Sequence, residues 1–108
     1  MNRETAYVLW FDELKREDVN LVGGKSSSLG ELTSSTNVPV PYGFATTAYG
    51  YREFMKETGL EDRIRQELDD LDDVENSALL REVCTKIRRM ICQEEMPAAL
   101  AEAIRKSY

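Results

Sequence analysis

The chain has 108 residues, 14 of them Lys or Arg and 20 Asp or Glu, which allows one domain at most. Its 42% hydrophobic and 31% charged residues belong to a globular protein and not to a disordered one. A formal net charge of −6 without histidine excludes a broad phosphate-attracting surface for nucleic acid or anionic membrane, and also histidine-based acid–base or phosphohistidine chemistry within the chain.

The elements follow in chain order. Ala6–Phe11 is a continuous apolar run, predicted as a strand buried on both faces under covering helices. The run is too short for a signal or membrane-spanning segment, which gives the expectation of a cytoplasmic protein. A polar stretch follows from Asp12 to Asn20, then Leu21-Val22-Gly23-Gly24-Lys25-Ser26-Ser27-Ser28-Leu29-Gly30-Glu31-Leu32. Gly23-Gly24 reads as a tight turn before a short helix starting near Lys25 or Ser26, with Leu29 and Leu32 spaced to face inward. Thr33 to Asn37 reads as a loop. Pro39 and Pro41, at alternate positions, force an extended backbone, and Phe44-Ala45-Thr46 reads as a short strand. Thr46 or Thr47 is a candidate N-cap for a helix to about Glu57, with Ala48, Tyr51 and Met55 inward and Gly59 as its stop.

From Gly59 on, the pattern is helical and more acidic. There are 6 basic and 8 acidic residues up to Leu60, and 8 and 12 from Glu61. Ile64, Leu68 and Leu71 form one helical stripe; Leu79, Leu80, Val83, Ile87, Met90 and Ile91 form a longer one over Ser77 to Gln93. Pro97 suits the first turn of a last helix carrying Leu100, Ala103, Ile104 and Tyr108. That apolar face is still running at Tyr108, as in an interrupted chain. Cys84 and Cys92, eight residues apart on one predicted helix, would stand about 12 Å apart along its axis. That is too far for a disulfide, so they read as reduced thiols, and two cysteines without histidine cannot build the usual zinc sites. The reading is α/β (α+β): short N-terminal strands, then a mostly helical second half, in a single incomplete domain 1–108 divided into regions 1–60 and 61–108.

Gly23, Gly24 and Lys25 are the candidate site residues. Glycines let a backbone approach phosphate closely, helix-start N–H groups attract negative charge, and a lysine adds a full positive charge. The segment is not a Walker P-loop, which needs an earlier glycine; none lies between Asp12 and Val22. By itself the turn is a weak signal and reads more readily as a plain helix start with a solvated lysine. Asp69, Asp70, Asp72 and Asp73 read as a solvated helix end and not as a magnesium site. Arg81, Lys86, Arg88 and Arg89 read as the wet face of an amphipathic helix. Trp10, Phe11, Phe44 and Tyr51 read as core and not as a base-stacking platform. Ser26 to Ser28 have no histidine to activate them.

In combination the segments are more specific. Tyr7-Val8-Leu9-Trp10-Phe11, Leu21-Val22-Gly23-Gly24-Lys25, Leu29-Gly30-Glu31-Leu32 and Val38-Pro39-Val40-Pro41-Tyr42-Gly43-Phe44-Ala45-Thr46-Thr47 resemble the start of the phosphoenolpyruvate synthase and pyruvate phosphate dikinase family. Rifampicin phosphotransferases begin in a similar way. The resemblance covers most of the first 60 residues; the remainder matches in layout, through Ala103 to Tyr108. It implies an ATP-grasp nucleotide-binding domain, with Lys25 contacting ATP phosphates and Gly23 and Gly24 forming the turn that lets it reach. The parent reaction would be that of a pyruvate, water dikinase, with ATP and Mg2+, through a histidine on a swivelling domain. The family's Val-Arg-Ser-Ser segment, magnesium-binding acids, swivelling histidine and pyruvate-binding barrel are absent from these 108 residues. The resemblance therefore implies a fragment that is not catalytic alone. One charge-assisted contact contributes on the order of 1–3 kcal/mol, and millimolar affinity needs about 4 kcal/mol, so the expectation is weak or undetectable ATP binding and no tightly bound cofactor. Exposed apolar surface would be met by the remainder of the parent enzyme or by self-association. The alternatives are a rifampicin phosphotransferase-like ATP-binding fragment and a stand-alone, non-catalytic helical interaction module.

Overall fold

The computed structural model describes residues 2–71 and 75–108. It is α/β: a two-stranded antiparallel sheet with helices, the described residues falling into two compact units, Met1–Glu53 with Ala98–Tyr108, and Phe54–Pro97. Among the described residues, no helix is long and apolar enough to cross a membrane.

In the first unit, β1 (Val8–Trp10) pairs with β2 (Phe44–Thr46), with Val8 opposite Thr46, Leu9 opposite Ala45 and Trp10 opposite Phe44. Phe11 N–H donating to Gly43 O at 3.0 Å and Thr47 N–H donating to Tyr7 O at 3.1 Å continue the ladder past both ends. The strand is shorter than the apolar run: Phe11 already opens a 3-10 turn, Phe11–Glu13, and only Leu9 of the three strand residues is buried. Its two-sided burial is therefore not realised. Trp10 instead stacks on the exposed Tyr42, with ring centroids 4.7 Å apart, and meets Phe44 edge-on at 5.2 Å. Ala6, Leu9 and Leu14 form the core, with Phe11, Leu21 and Val22 packed against it.

A further 3-10 turn, Arg16–Asp18, leads into a single helical turn, α1 (Val19–Val22), and then α2 (Gly24–Ser35). α2 is longer than the sequence suggests and runs through residues 33–35, which read as loop. Its polarity is also inverted. Ser27 and Gly30 are its buried residues, Leu29 is half-buried and Leu32 is exposed. The reason is close approach to Leu14, which leaves room only for small side chains on the packed face.

α3 (Ala48–Glu57) starts at Thr47, whose Oγ1 accepts from Gly50 N–H at 3.1 Å and donates to Ala6 O. Its buried residue is Gly50, under Leu100; a Cβ there would lie 3.2 Å from Leu100 Cδ1. Tyr51, expected inward and in the core, is 54% exposed, because the glycine before it marks the contact line. α6 (Ala98–Ser107) follows Pro97 and packs against β1 through the buried Leu100. Tyr108 lies beyond the helix, fully exposed, and is not part of its apolar face.

In the second unit, α3 ends as expected at Gly59, with φ +72° and its N–H on Lys56 O at 3.2 Å. α4 (Leu60–Asp69) and α5 (Ser77–Gln93) pack together, joined by Lys86–Glu67 at 2.7 Å and Arg63–Glu94 at 3.4 Å. Asn76 caps α5, its Oδ1 accepting from Leu79 N–H at 3.1 Å. Leu60 is fully buried, while Leu68 of the expected stripe is 47% exposed. Cys84 and Cys92 are free and exposed on α5.

Candidate functional site

The Gly-Gly-Lys turn sits where α1 gives way to α2. Gly23 N–H closes α1 on Val19 O at 2.8 Å. Gly23 then takes φ +87° and ψ 170°, a backbone state essentially confined to glycine. That bend lets α2 begin at the next residue. Ser27 N–H makes the first helical bond, to Gly23 O at 3.1 Å, and Ser27 Oγ donates to Gly24 O at 3.1 Å. No side chain caps this N-terminus, so the Gly24, Lys25 and Ser26 N–H groups are left to an outside acceptor.

The approach is open. A Cβ built on Gly23 or Gly24 meets nothing within 4 Å. Lys25 is exposed and makes no ion pair among the described residues. Gly24, Lys25, Ser28, Leu29 and Leu32 line a shallow groove along the outward side of α2. The three sequence-predicted residues therefore stand together on one helix start. Free N–H groups, the positive end of a twelve-residue helix and one lysine make an anion-attracting point.

Below the turn lies a polar brace that sequence reasoning missed. Asp18 is buried, and its Oδ2 accepts from Arg3 Nη2 at 2.6 Å and from Lys15 N–H at 2.9 Å. The Arg3 guanidinium beside it, with the Lys15 N–H, holds the Asp18 carboxyl below the usual aspartate range against the opposing effect of burial. The same Arg3 nitrogen donates to Glu13 O at 2.9 Å. From α2, Glu31 Oε2 accepts from Arg16 N–H at 2.9 Å, which together with the Ser35 hydroxyl lowers the Glu31 pKa. Ser34 Oγ donates to Leu14 O at 3.0 Å. The one signal available in the sequence, an aspartate just before Val19, suggests a helix cap; Asp18 makes no such bond and turns back to Lys15 instead.

The other charged groups do not converge. Asp69 and Asp70 are exposed at the end of α4, while Asp72 and Asp73 lie outside the described residues. Among the described residues no three His, Cys, Asp or Glu side chains gather as metal ligands. Arg81, Lys86, Arg88 and Arg89 are exposed along α5.

Residues 19–108 match the family described as pyruvate phosphate dikinase, AMP/ATP-binding domain. The chain is similar to a phosphoenolpyruvate synthase of Synechocystis, 46% identical over an alignment of 110 positions that covers 99% of this chain and 13% of that protein. It is similar to a probable phosphoenolpyruvate synthase of Staphylothermus marinus, 43% identical over 106 residues, 98% of this chain and 12% of the relative. A probable phosphoenolpyruvate synthase of Methanocaldococcus jannaschii is 45% identical over 102 residues, 94% of this chain and 8% of the relative. The chain thus spans about an eighth or less of these relatives' length. With 90 of its 108 residues inside the family match, the chain belongs to the pyruvate phosphate dikinase AMP/ATP-binding domain family.

Proposed function

We propose that the chain is the N-terminal part of an ATP-grasp domain in an ATP-dependent phosphotransferase of the phosphoenolpyruvate synthase type. Its share of the nucleotide site is the Gly23-Gly24-Lys25 turn, which receives phosphate oxygens on the Gly24, Lys25 and Ser26 N–H groups and on the Lys25 ammonium. The observation that carries this reading is the uncapped, sterically open start of α2 beside an unpaired lysine, inside a match to an AMP/ATP-binding family. The parent reaction converts ATP, pyruvate and water to AMP, phosphoenolpyruvate and phosphate. Mg2+ would accompany the nucleotide, held by residues other than these, since this turn offers donors only.

The isolated chain is non-catalytic on this reading and binds ATP weakly, because one lysine and a few N–H groups supply on the order of 1–3 kcal/mol where millimolar affinity requires about 4 kcal/mol. The exposed Leu32, Val38, Tyr42 and Tyr51 support a surface for the remainder of the parent enzyme or for a second copy. The exposed free thiols support a reducing, cytoplasmic setting. Calorimetric titration of Mg·ATP into the chain, with Lys25→Ala as control, tests the phosphate role. Heat that disappears in Lys25→Ala supports it; binding of equal strength in both proteins excludes it.

A further inference from the structure

We infer that Arg3 and Asp18 are positioning residues for the Gly23-Gly24-Lys25 turn: their pairing, half-exposed at Arg3 and buried at Asp18, sets the angle at which α2 presents its first N–H groups. The inference rests on the phosphate reading for its functional meaning, but its geometry stands alone. Asp18 is the residue immediately before α1, and α1 is one turn long, Val19–Val22. A helix this short has no stability of its own, so its direction is inherited from the residue that anchors it. That anchor is fixed in two directions, by Arg3 Nη2 at 2.6 Å from a segment fifteen residues away and by Lys15 N–H at 2.9 Å.

From Asp18 the chain of contacts is short and rigid. Gly23 N–H is tied to Val19 O at 2.8 Å, and Ser27 N–H to Gly23 O at 3.1 Å. Glu31 closes the far side by accepting from Arg16 N–H at 2.9 Å. Hence the 3-10 turn Arg16–Asp18 is gripped by Arg3 from one side and by α2 from the other, with the Gly23 corner between the two grips. Neither Arg3 nor Asp18 lines the groove beside Lys25, so their effect on a ligand is transmitted through the backbone. A loosened corner would let the Gly24, Lys25 and Ser26 N–H groups diverge, and divergent donors no longer meet one phosphate.

Amide hydrogen exchange on the whole chain tests the brace without any ligand. In Asp18→Asn, which keeps the shape and an acceptor for Lys15 N–H but removes the charge, Gly23 and Ser27 should exchange at least tenfold faster. Thr47 N–H, bonded to Tyr7 O beside the sheet, should change less than threefold. Arg3→Lys, which restores the charge, should recover part of the protection lost in Arg3→Gln, and it serves in place of Asp18→Asn if that variant is unfolded. Uniform acceleration at Gly23, Ser27 and Thr47 alike, or none at Gly23, overturns the inference. Titration with tripolyphosphate, followed by the Gly24 and Lys25 amide signals, then separates the two readings. Shifts in the wild type that weaken at least fivefold in Asp18→Asn support a positioning role. Equal shifts in both proteins overturn it. Silent wild-type signals count against the phosphate reading itself, and with it against any role of the pair in ligand binding, even where the exchange result upholds the brace.

Discussion

Gly30 faces Leu14 so closely that a Cβ on Gly30 would lie 2.3 Å from Leu14 Cβ and 2.9 Å from Leu14 O. Backbone meets backbone at this point, and Leu14 is fully buried by the contact. The contact fixes α2 against the turn that precedes the Gly23 corner, so the packing below and the Gly23-Gly24-Lys25 turn above share one helix.

Gly30→Ala is accordingly expected to destabilise the fold by about 2–3 kcal/mol. Alanine's better helix propensity returns only about 1 kcal/mol, so the clash wins. Urea unfolding monitored by circular dichroism measures the difference.

The two glycines of the turn should part company. Gly23→Ala forces a side chain into a backbone state at φ +87° and should cost about 1–3 kcal/mol. Gly24 is helical with open space around it, so Gly24→Ala should leave stability within about 1 kcal/mol of wild type. Any loss of nucleotide affinity in Gly24→Ala would then report on ligand approach and not on folding. Paired unfolding and titration experiments on the two variants make the comparison.

Thr47 joins three segments, capping α3 at Gly50 N–H and donating to Ala6 O. Thr47→Val keeps the shape and removes both bonds, at an expected cost of about 1–2 kcal/mol. Thr47→Ser should recover most of it. Thermal unfolding of the two variants decides.

Acid should weaken the brace. The Asp18 carboxyl, paired with Arg3, titrates below its ordinary value of 3.8, and Glu31, bonded to Arg16 N–H, below its ordinary 4.5. The unfolded chain therefore binds more protons than the folded one in that range, and stability rises with pH. The contribution is complete above the ordinary values and lost as pH falls through the lowered ones, while Arg3 stays charged throughout. Asp18→Asn should flatten the pH dependence of urea unfolding below pH 5, and an unchanged slope would remove Asp18 from the explanation.

The parts of this fold legible in the sequence are those where apolar spacing records burial. α5 runs from Ser77 to Gln93, as its stripe indicates, and β2 and the Gly59 stop of α3 follow from residues with strong backbone preferences. α2 was legible only at its start. Its packed face consists of Ser27 and Gly30, which carry no hydrophobic signal, while Leu29 is only half-buried and Leu32 exposed, so periodicity misplaces its inside and its end. Gly50 misleads in the same way and makes Tyr51 look buried. The Gly23-Gly24 corner was legible as a turn before a helix because glycine readily takes the positive φ found at Gly23. Arg3, Asp18 and Glu31 were not, because an ion pair between positions fifteen apart leaves no local pattern.

The most direct test of the proposed phosphate role is to follow the amide signals of the chain by NMR while Mg·ATP is added to about 10 mM, where a site weaker than about 1 mM (about 4 kcal/mol) is only part-filled but still shifts the amides that meet the ligand. The expected result is a set of concentration-dependent shifts centred on residues 23–27, absent in Lys25→Ala. Shifts centred elsewhere, or the same shifts in Lys25→Ala, would contradict the assignment of this turn to the nucleotide's phosphates.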